Sequence, residues 1–207
     1  MRPAGFWPGF VLGVPYFSYI FWWFWSVYPL VSKGTDNNLS FLIILLPFVV
    51  TVTGMSFFWG IFGYFAHDIQ RKTRRAFLPL FCAGIFVLVE YIRTWFFGIL
   101  WAGQGSLLGA HWTLGNPAYL FADIGPVRQS ASYWGIYGID FFIVFVGSAL
   151  FMLARPRNWG SKKIPSLEIL SAVAILVFLN LSTSLDKPRP ENTELNVSII
   201  QTAKPVR

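Results

Sequence analysis

Residues 39–66 read LSFLIILLPFVVTVTGMSFFWGIFGYFA, and no charged side chain interrupts them. A helix needs about 20 consecutive apolar residues to cross the hydrocarbon core of a bilayer, so this stretch is long enough to span a membrane. The composition agrees, because 55% of the 207 residues are hydrophobic, 19% are aromatic and only 12% are charged. A soluble domain carries about 25% charged residues. The sequence therefore predicts an integral membrane protein and excludes a soluble globular domain.

Four further apolar segments flank this one. Together the predicted spans are 4–31, 39–66, 76–101, 131–154 and 166–183. The first contains the aromatic block 19–25, YIFWWFW, which suits the level of the lipid headgroups. The predicted fold is an all-α membrane protein, a bundle of about five transmembrane helices occupying residues 1–184, followed by a short extramembrane strand.

Basic residues are clustered between the apolar segments. Four lie in 71–75 and four in 155–163, whereas the other two connections hold one each, Lys33 and Arg128. The positive-inside rule places the two basic loops in the cytoplasm, which puts the N-terminus inside and the C-terminus outside. Four basic residues in the C-terminal tail oppose this orientation. The formal net charge of +7 is distributed as in a membrane protein, so we do not expect a nucleic-acid partner.

Two segments do not resemble membrane spans. Residues 102–130 form a long connection rich in Gly and aromatic residues, too apolar to be disordered, and we expect it to pack on the bundle. After a linker at 185–194, residues 195–201 read LNVSIIQ and alternate apolar and polar positions like a half-buried strand. A lone strand cannot bury its face, so residues 195–207 predict the start of a further domain. We therefore expect a truncated sequence or a split gene.

Three charged residues lie within the predicted spans. Glu90 and Arg93 are three residues apart on one helix face, and Asp140 lies about two turns inside the fourth span. Charges at such depth are costly and usually face a bundle interior or a cavity, which makes them functional candidates. The alternative for the first two is a structural ion pair. Asp140 could equally line a polar cavity or accept hydrogen bonds from the long loop.

The remaining reactive side chains do not form a catalytic set. Cys82 lies in an apolar helix with no base beside it, which favours a buried hydrophobe over a reactive thiolate. His67 and His111 fall on opposite sides of the membrane in the predicted topology, so they cannot share a metal ion. Ser106 follows Gly103-Gln-Gly, but a nucleophile elbow needs a strand before the serine and a helix after it. We therefore expect no metal, no cofactor and no catalytic constellation in this chain.

Three motifs follow one another in a recognisable order: Glu90-Tyr-Ile-Arg93, the Gly- and Trp-rich loop, and Gly135-Ile-Tyr-Gly-Ile-Asp-Phe-Phe142. This succession resembles the membrane domain of the bacterial apolipoprotein N-acyltransferase family, which typically reads E-x-x-R, a Gly/Pro/Trp loop, then G-x-x-G-x-x-F before another span. Residues 196–201 are similar to the first strand of that family's nitrilase-like catalytic domain. Residues 2–3 and the aromatic helix after them resemble the family's third span, which implies two earlier spans that this sequence lacks.

The resemblance has two departures. If Trp101 matches the family's loop tryptophan, the usual preceding proline is replaced by Leu100. Matching Trp112 instead aligns Trp112-Thr-Leu-Gly115 with the family's W-x-x-G stretch and requires an insertion after Arg93; this is the register we prefer. The family's catalytic Glu, Lys and Cys belong to the nitrilase-like domain and have no counterpart up to Arg207, so the chain alone is predicted to be inactive. The membrane-domain candidates are Glu90, Arg93, His111, Trp112 and Asp140.

The resemblance implies a two-step acyl transfer in the bacterial inner membrane. A catalytic thiolate takes an acyl chain from a phospholipid, and the resulting thioester passes it to the amino group of a diacylated lipoprotein cysteine. The implied partners are a phospholipid donor, a lipoprotein acceptor and the membrane itself. Two other functions stay open from the residues alone. Intramembrane charges and Pro-broken helices also fit a small transporter or channel, and a non-catalytic scaffold that docks a separate partner is the third reading.

Overall fold

The computed structural model describes residues 5–30, 34, 36–73, 77–101 and 111–154, and every regular element within them is helical. In chain order the elements are α1 (Phe6–Ile20), a 3₁₀ helix (Trp22–Val27), α2 (Asn37–Lys72), α3 (Leu78–Leu100), a second 3₁₀ helix (Pro117–Phe121) and α4 (Gly125–Ala154). The predicted fifth span, 166–183, and the predicted strand, 195–201, lie outside the described residues.

Three of these helices are long and apolar enough to cross a membrane. They are α2, α3 and α4, with mean hydropathies of 2.3, 1.6 and 1.9 over the most apolar 18 residues of each. Helices α2 and α4 contain the second and fourth predicted spans, and α3 lies within the third, so the prediction of an all-helical membrane protein is confirmed for the described part of the chain.

The first predicted span, 4–31, is not one continuous α-helix. Helix α1 has 15 residues and ends at Ile20, and the chain then tightens into the 3₁₀ helix Trp22–Val27. A 3₁₀ helix has three residues per turn, which keeps Phe21 and Phe24 on one face, where both are buried with ring centroids 5.8 Å apart. At about 1.5 and 2.0 Å of rise per residue, the two helices together still span roughly 34 Å.

Small residues allow α1 and α2 to pack backbone against backbone. A Cβ atom added at Gly9 would collide with the carbonyl oxygen of Trp59, and one at Gly13 would lie 2.9 Å from the Cα of Ser56. Gly5 meets α2 in the same way one turn earlier. Such spacing of small residues is typical of membrane helices, where close van der Waals packing stabilises association.

The helices follow one another in space as they do in sequence. Helix α1 packs on α2, α2 on α3, and α3 on α4. One core cluster, which includes Phe17, Met55 and Phe97, lies near the end of α3 that leads into residues 111–121. A smaller cluster of Leu78, Cys82 and Met152 lies at the opposite end. We call these the loop end and the opposite end of the bundle.

Helix α4 begins at Gly125, six residues before the predicted start of the fourth span. Residues 125–130 are too polar to predict a membrane span, but Pro126 suits the first turn of a helix because its missing N–H needs no partner there. The helix is interrupted at Gly135, whose φ of 64° is a conformation that glycine adopts without steric cost. The more apolar part of the predicted span follows this kink.

Candidate functional site

A fully buried ion pair lies at the centre of the bundle. Arg93 Nη2 is 2.7 Å from Glu90 Oε2, and Arg93 Nε lies 3.0 and 3.1 Å from the two carboxylate oxygens. Both side chains have no exposed surface. Three-residue spacing on α3 brings them together, because residues i and i+3 lie on one helix face. Paired and hydrogen-bonded in this way, the two charges offset each other's desolvation.

Neighbouring elements complete the hydrogen bonds of this pair. The indole N–H of Trp59, on α2, donates to Glu90 Oε1 at 3.1 Å. Arg93 Nη1 donates to the carbonyl oxygen of Leu114 at 3.0 Å, and the guanidinium carbon lies 5.2 Å from the centre of the Phe17 ring on α1. The pair therefore links α1, α2 and α3 to the segment after α3.

That segment, residues 111–121, is held on the bundle by further contacts, and we call it the clamped loop. The backbone N–H of Trp112 donates to the carbonyl oxygen of Thr94 at 3.3 Å. The Tyr16 hydroxyl donates to the carbonyl oxygen of Gly115, also at 3.3 Å. Gly115 has a φ of 73°, and a Cβ atom there would lie 3.3 Å from the Phe17 ring, so both conformation and space favour glycine.

Asp140 fixes the other side of the clamped loop. Its carboxylate accepts hydrogen bonds from the side-chain amide of Asn116 and, at 3.1 Å, from the backbone N–H of Ala118. The Asn116 side-chain oxygen accepts from the same backbone N–H at 2.9 Å. All three residues are buried. The carboxylate therefore caps the 3₁₀ helix Pro117–Phe121, where free N–H groups favour an anion.

A triangle of hydrogen bonds joins Thr94, His111 and Tyr137. His111 Nε2 lies 2.9 Å from Thr94 Oγ1 and 2.8 Å from the Tyr137 hydroxyl, and those two oxygens are 2.9 Å apart. The Thr94 hydroxyl proton is already donated to the carbonyl oxygen of Tyr91 at 2.7 Å. Which atom donates in the contacts to His111 Nε2 depends on the tautomer of the ring. The triangle joins α3, the clamped loop and α4.

An apolar cavity of about 430 Å³ adjoins the clamped loop. Trp112 lies between the two, with its ring 5.4 Å from the Phe97 ring, and both rings line the cavity. The other lining residues come from the 3₁₀ helix Trp22–Val27 and the chain just after it, the first part of α2 and the end of α3; they are Trp23, Phe24, Val27, Leu30, Ile43, Ile44, Pro47 and Trp101. A space of this size, lined by apolar and aromatic side chains, is typical of a small-molecule site.

The structure thus brings all five sequence-predicted site residues to one region. Arg93 and Asp140 bond to the clamped loop, to which His111 and Trp112 belong, and Glu90 bonds to Arg93. Sequence reasoning missed Asn116 and the hydroxyl groups of Thr94 and Tyr137. A local signal existed for Asn116 alone, because Asn before Pro favours the start of a turn.

The other reactive side chains lie elsewhere. Cys82 is buried at the opposite end of the bundle, against Leu78 and Met152. His67 also lies at that end, near the end of α2, and Ser106 lies outside the described residues. Among the described residues, no three His, Cys, Asp or Glu side chains come together as a metal site. The arrangement at the loop end can hold a loop and an apolar ligand.

Comparisons with known proteins agree on one family. The sequence model of the apolipoprotein N-acyltransferase N-terminal domain matches residues 1–149. The apolipoprotein N-acyltransferases of Rickettsia typhi and Rickettsia prowazekii are each 26% identical to the chain, and each match covers 94% of the chain and 32% of the relative. That of Caulobacter vibrioides is 24% identical over 95% of the chain and 33% of its own length. The chain thus spans about a third of the length of these relatives. No solved structure matches it significantly.

Proposed function

This chain belongs to the apolipoprotein N-acyltransferase family, and from that membership we propose that it forms the membrane part of an enzyme that transfers an acyl chain to lipoproteins. The acyl donor would be a phospholipid, and the acceptor would be the amino group of a diacylated N-terminal cysteine. Both substrates are lipids that leave a bilayer only at a cost of about 0.8 kcal/mol per methylene. The helices would therefore bind the acyl chains where they already are.

The apolar cavity beside the clamped loop carries this proposal. Its volume of about 430 Å³ and its lining of aromatic and aliphatic side chains suit a hydrocarbon chain rather than a polar metabolite. Exposed tryptophan rings, Trp23 and Trp101, stand on its walls. Amphipathic rings of this kind lie at the headgroup level of a bilayer, which is where an acyl ester begins. We propose that the cavity receives part of an acyl chain.

The polar network would serve to hold the clamped loop over this cavity. Glu90 and Arg93 are fully buried and bonded to each other, to Trp59 and to Leu114. In a transporter or channel, intramembrane charges usually face a water-filled path. This pair instead uses its remaining hydrogen bonds on neighbouring elements, which favours a positioning role over ion conduction.

We propose the following placement in the bacterial inner membrane. The ends of α2 and α4 lie at the opposite end of the bundle, and in sequence the basic residues at 71–75 and 155–163 fall at these two helix ends. The positive-inside rule assigns that end to the cytoplasm and the loop end to the external side. The cavity would then open to the outer leaflet.

The thiolate chemistry would be carried out by groups that the described residues do not provide. Cys82 is buried in an apolar cluster at the opposite end, away from the clamped loop. A nucleophilic thiolate needs an accessible, electropositive setting. We therefore predict that the purified 207-residue chain does not acylate a diacylated lipopeptide. Mass spectrometry of the peptide checks this, and acylated product above the level of a Cys82→Ala control would contradict it.

A photoreactive phospholipid tests the acyl site directly. With the diazirine on the acyl chain and the protein in nanodiscs, we expect the label on peptides that line the cavity. Ile43→Trp should fill the cavity and remove this label, whereas Leu42→Trp is a matched control, because Leu42 is exposed and not part of the lining. Equal labelling of these peptides in the two variants would exclude the cavity as the acyl site.

A further inference from the structure

A second, larger groove lies at the opposite end of the bundle. Its volume is about 910 Å³, and its walls come from α1 and α2 on one side and from α3 and α4 on the other. Because α1 packs on α2 and α4 packs on α3, the outermost helices of the row flank this space. At the loop end the same gap between α1 and α4 is filled by the clamped loop, which bonds to Tyr16 and Asp140.

We propose that residues 166–183 of the same chain form a helix that occupies this groove. Helix α4 ends at Ala154, and two residues of its last turn, Phe151 and Met152, line the groove, so α4 ends beside the groove. Residues 169–183 contain no charged side chain, and as a helix the 18 residues of 166–183 would rise about 27 Å. Such a helix is long and apolar enough to lie in a groove between membrane helices.

Small side chains on α4 and in residues 166–183 fall at the same distance from the connection between these two segments. Gly147 lies seven residues before the end of α4, and Val173 lies seven residues after Ser166. For antiparallel helices joined by residues 155–165, these positions are level, about 10 Å from the connection. Gly147 and Ser148 line the groove, and Ser171, Ala172 and Ala174 surround Val173 in sequence. Small residues facing one another let membrane helices approach closely.

Two details of α4 agree with an additional helical neighbour. In the most apolar 18 residues of α4, 22% are buried within the described structure, against 44% in the corresponding stretch of α3. A Cβ atom added at Gly147 would meet nothing within 4 Å, so a wall position with a glycine faces open space. A glycine at such a position lets the backbone of a second membrane helix approach closely.

Cross-linking to the native cysteine tests this arrangement. Cys82 lines the groove four residues after the start of α3, level with Leu170, four residues after Ser166. Single cysteines at positions 170–177, with a protease site between Gly160 and Ser161, should form disulfides with Cys82 on one helical face only. The linked fragments then stay together on a non-reducing gel after cleavage.

Phe81 provides a control at the same depth, because it is exposed and does not line the groove. Phe81→Cys in a Cys82→Ala background should give no cross-link to the same positions. Absence of cross-links to Cys82, or equal cross-links from position 81, would overturn the proposal.

A second measurement needs no substitution in the proposed helix. In a Gly147→Cys, Cys82→Ala variant, a bilayer-soluble maleimide should label position 147, which is exposed among the described residues, roughly tenfold or more slowly than it labels the Phe81→Cys, Cys82→Ala variant, since the reagent must wait for local opening. Equal rates would mean that lipid fills the groove, and the proposal would then be wrong. Neither experiment depends on acyl transfer, so failure here leaves the proposed function untouched.

Discussion

The buried pair Glu90–Arg93 allows a quantitative test by a double-mutant cycle. Arg93→Met leaves the Glu90 carboxylate with the Trp59 N–H as its remaining donor, and Glu90→Gln leaves an uncompensated guanidinium. In soluble cores, removing one partner of a buried pair costs roughly 3–5 kcal/mol. Simple addition therefore gives roughly 6–10 kcal/mol for the double variant.

We expect the double variant to lose much less, because no buried charge remains in it. The groups left without partners are the Leu114 carbonyl and the amide NH2 that Glu90→Gln introduces, at about 1–3 kcal/mol each, while the new amide oxygen still accepts from Trp59. The expected total is therefore roughly 2–6 kcal/mol, less than the sum of the single losses, and the coupling between the two residues is on the order of 3 kcal/mol.

Unfolding by SDS in mixed micelles, followed by tryptophan fluorescence, measures these free energies. The control cycle uses Asp68→Asn and Lys72→Met, since this i,i+4 pair at 2.7 Å is largely exposed. Its coupling should stay below about 0.5 kcal/mol. Additive losses at Glu90 and Arg93, with a coupling no larger than that of the control, would refute the account of the buried pair.

Three further predictions concern packing, the clamped loop and topology. Gly9→Val should cost roughly 1–3 kcal/mol in the same unfolding assay, because its side chain meets a backbone carbonyl of α2, while Gly84→Ala should be neutral or stabilising, since its Cβ meets nothing within 4 Å. Asp140→Leu removes a charged acceptor worth about 1.5–3 kcal/mol and should speed proteolysis at residues 111–121 roughly 10- to 100-fold, and an unchanged rate would show that the carboxylate does not hold the loop. In a cysteine-free background, Ser106→Cys should react with an impermeant thiol reagent in intact cells and Ser161→Cys should not; labelling at position 161 would reverse the proposed orientation.

The sequence predicts those features of the fold that depend on local pattern. Long, mainly apolar segments predict α2, α3 and most of α4, because a membrane helix must satisfy its own backbone. Spacing along one helix face allows Glu90 and Arg93 to meet, and the structure contains that ion pair. This reasoning does not predict that α1 ends at Ile20, since consecutive aromatic residues suit an α-helix and a 3₁₀ helix equally well by composition.

The clamped loop could not be predicted because its contacts join residues distant in sequence. Asn116 and Asp140 are 24 positions apart, and Thr94 and Tyr137 are 43 apart. Neither periodicity nor charge pattern encodes which of several polar groups will face the same point. The sequence identified His111, Trp112 and Asp140 as candidates, but their shared attachment to one loop emerges only from the packing of α3 against α4.

Acyl transfer by a hybrid enzyme tests the central claim most directly. Residues 1–149 would replace the matching part of the Caulobacter vibrioides relative, and mass spectrometry would follow N-acylation of a diacylated lipopeptide by membranes containing the hybrid. We predict that the hybrid forms product, that Ile43→Trp in the cavity abolishes it, and that the neighbouring Leu42→Trp does not. Equal activity of the two variants, or a folded and inserted hybrid that forms no product, would contradict a role for these helices in binding the acyl chain.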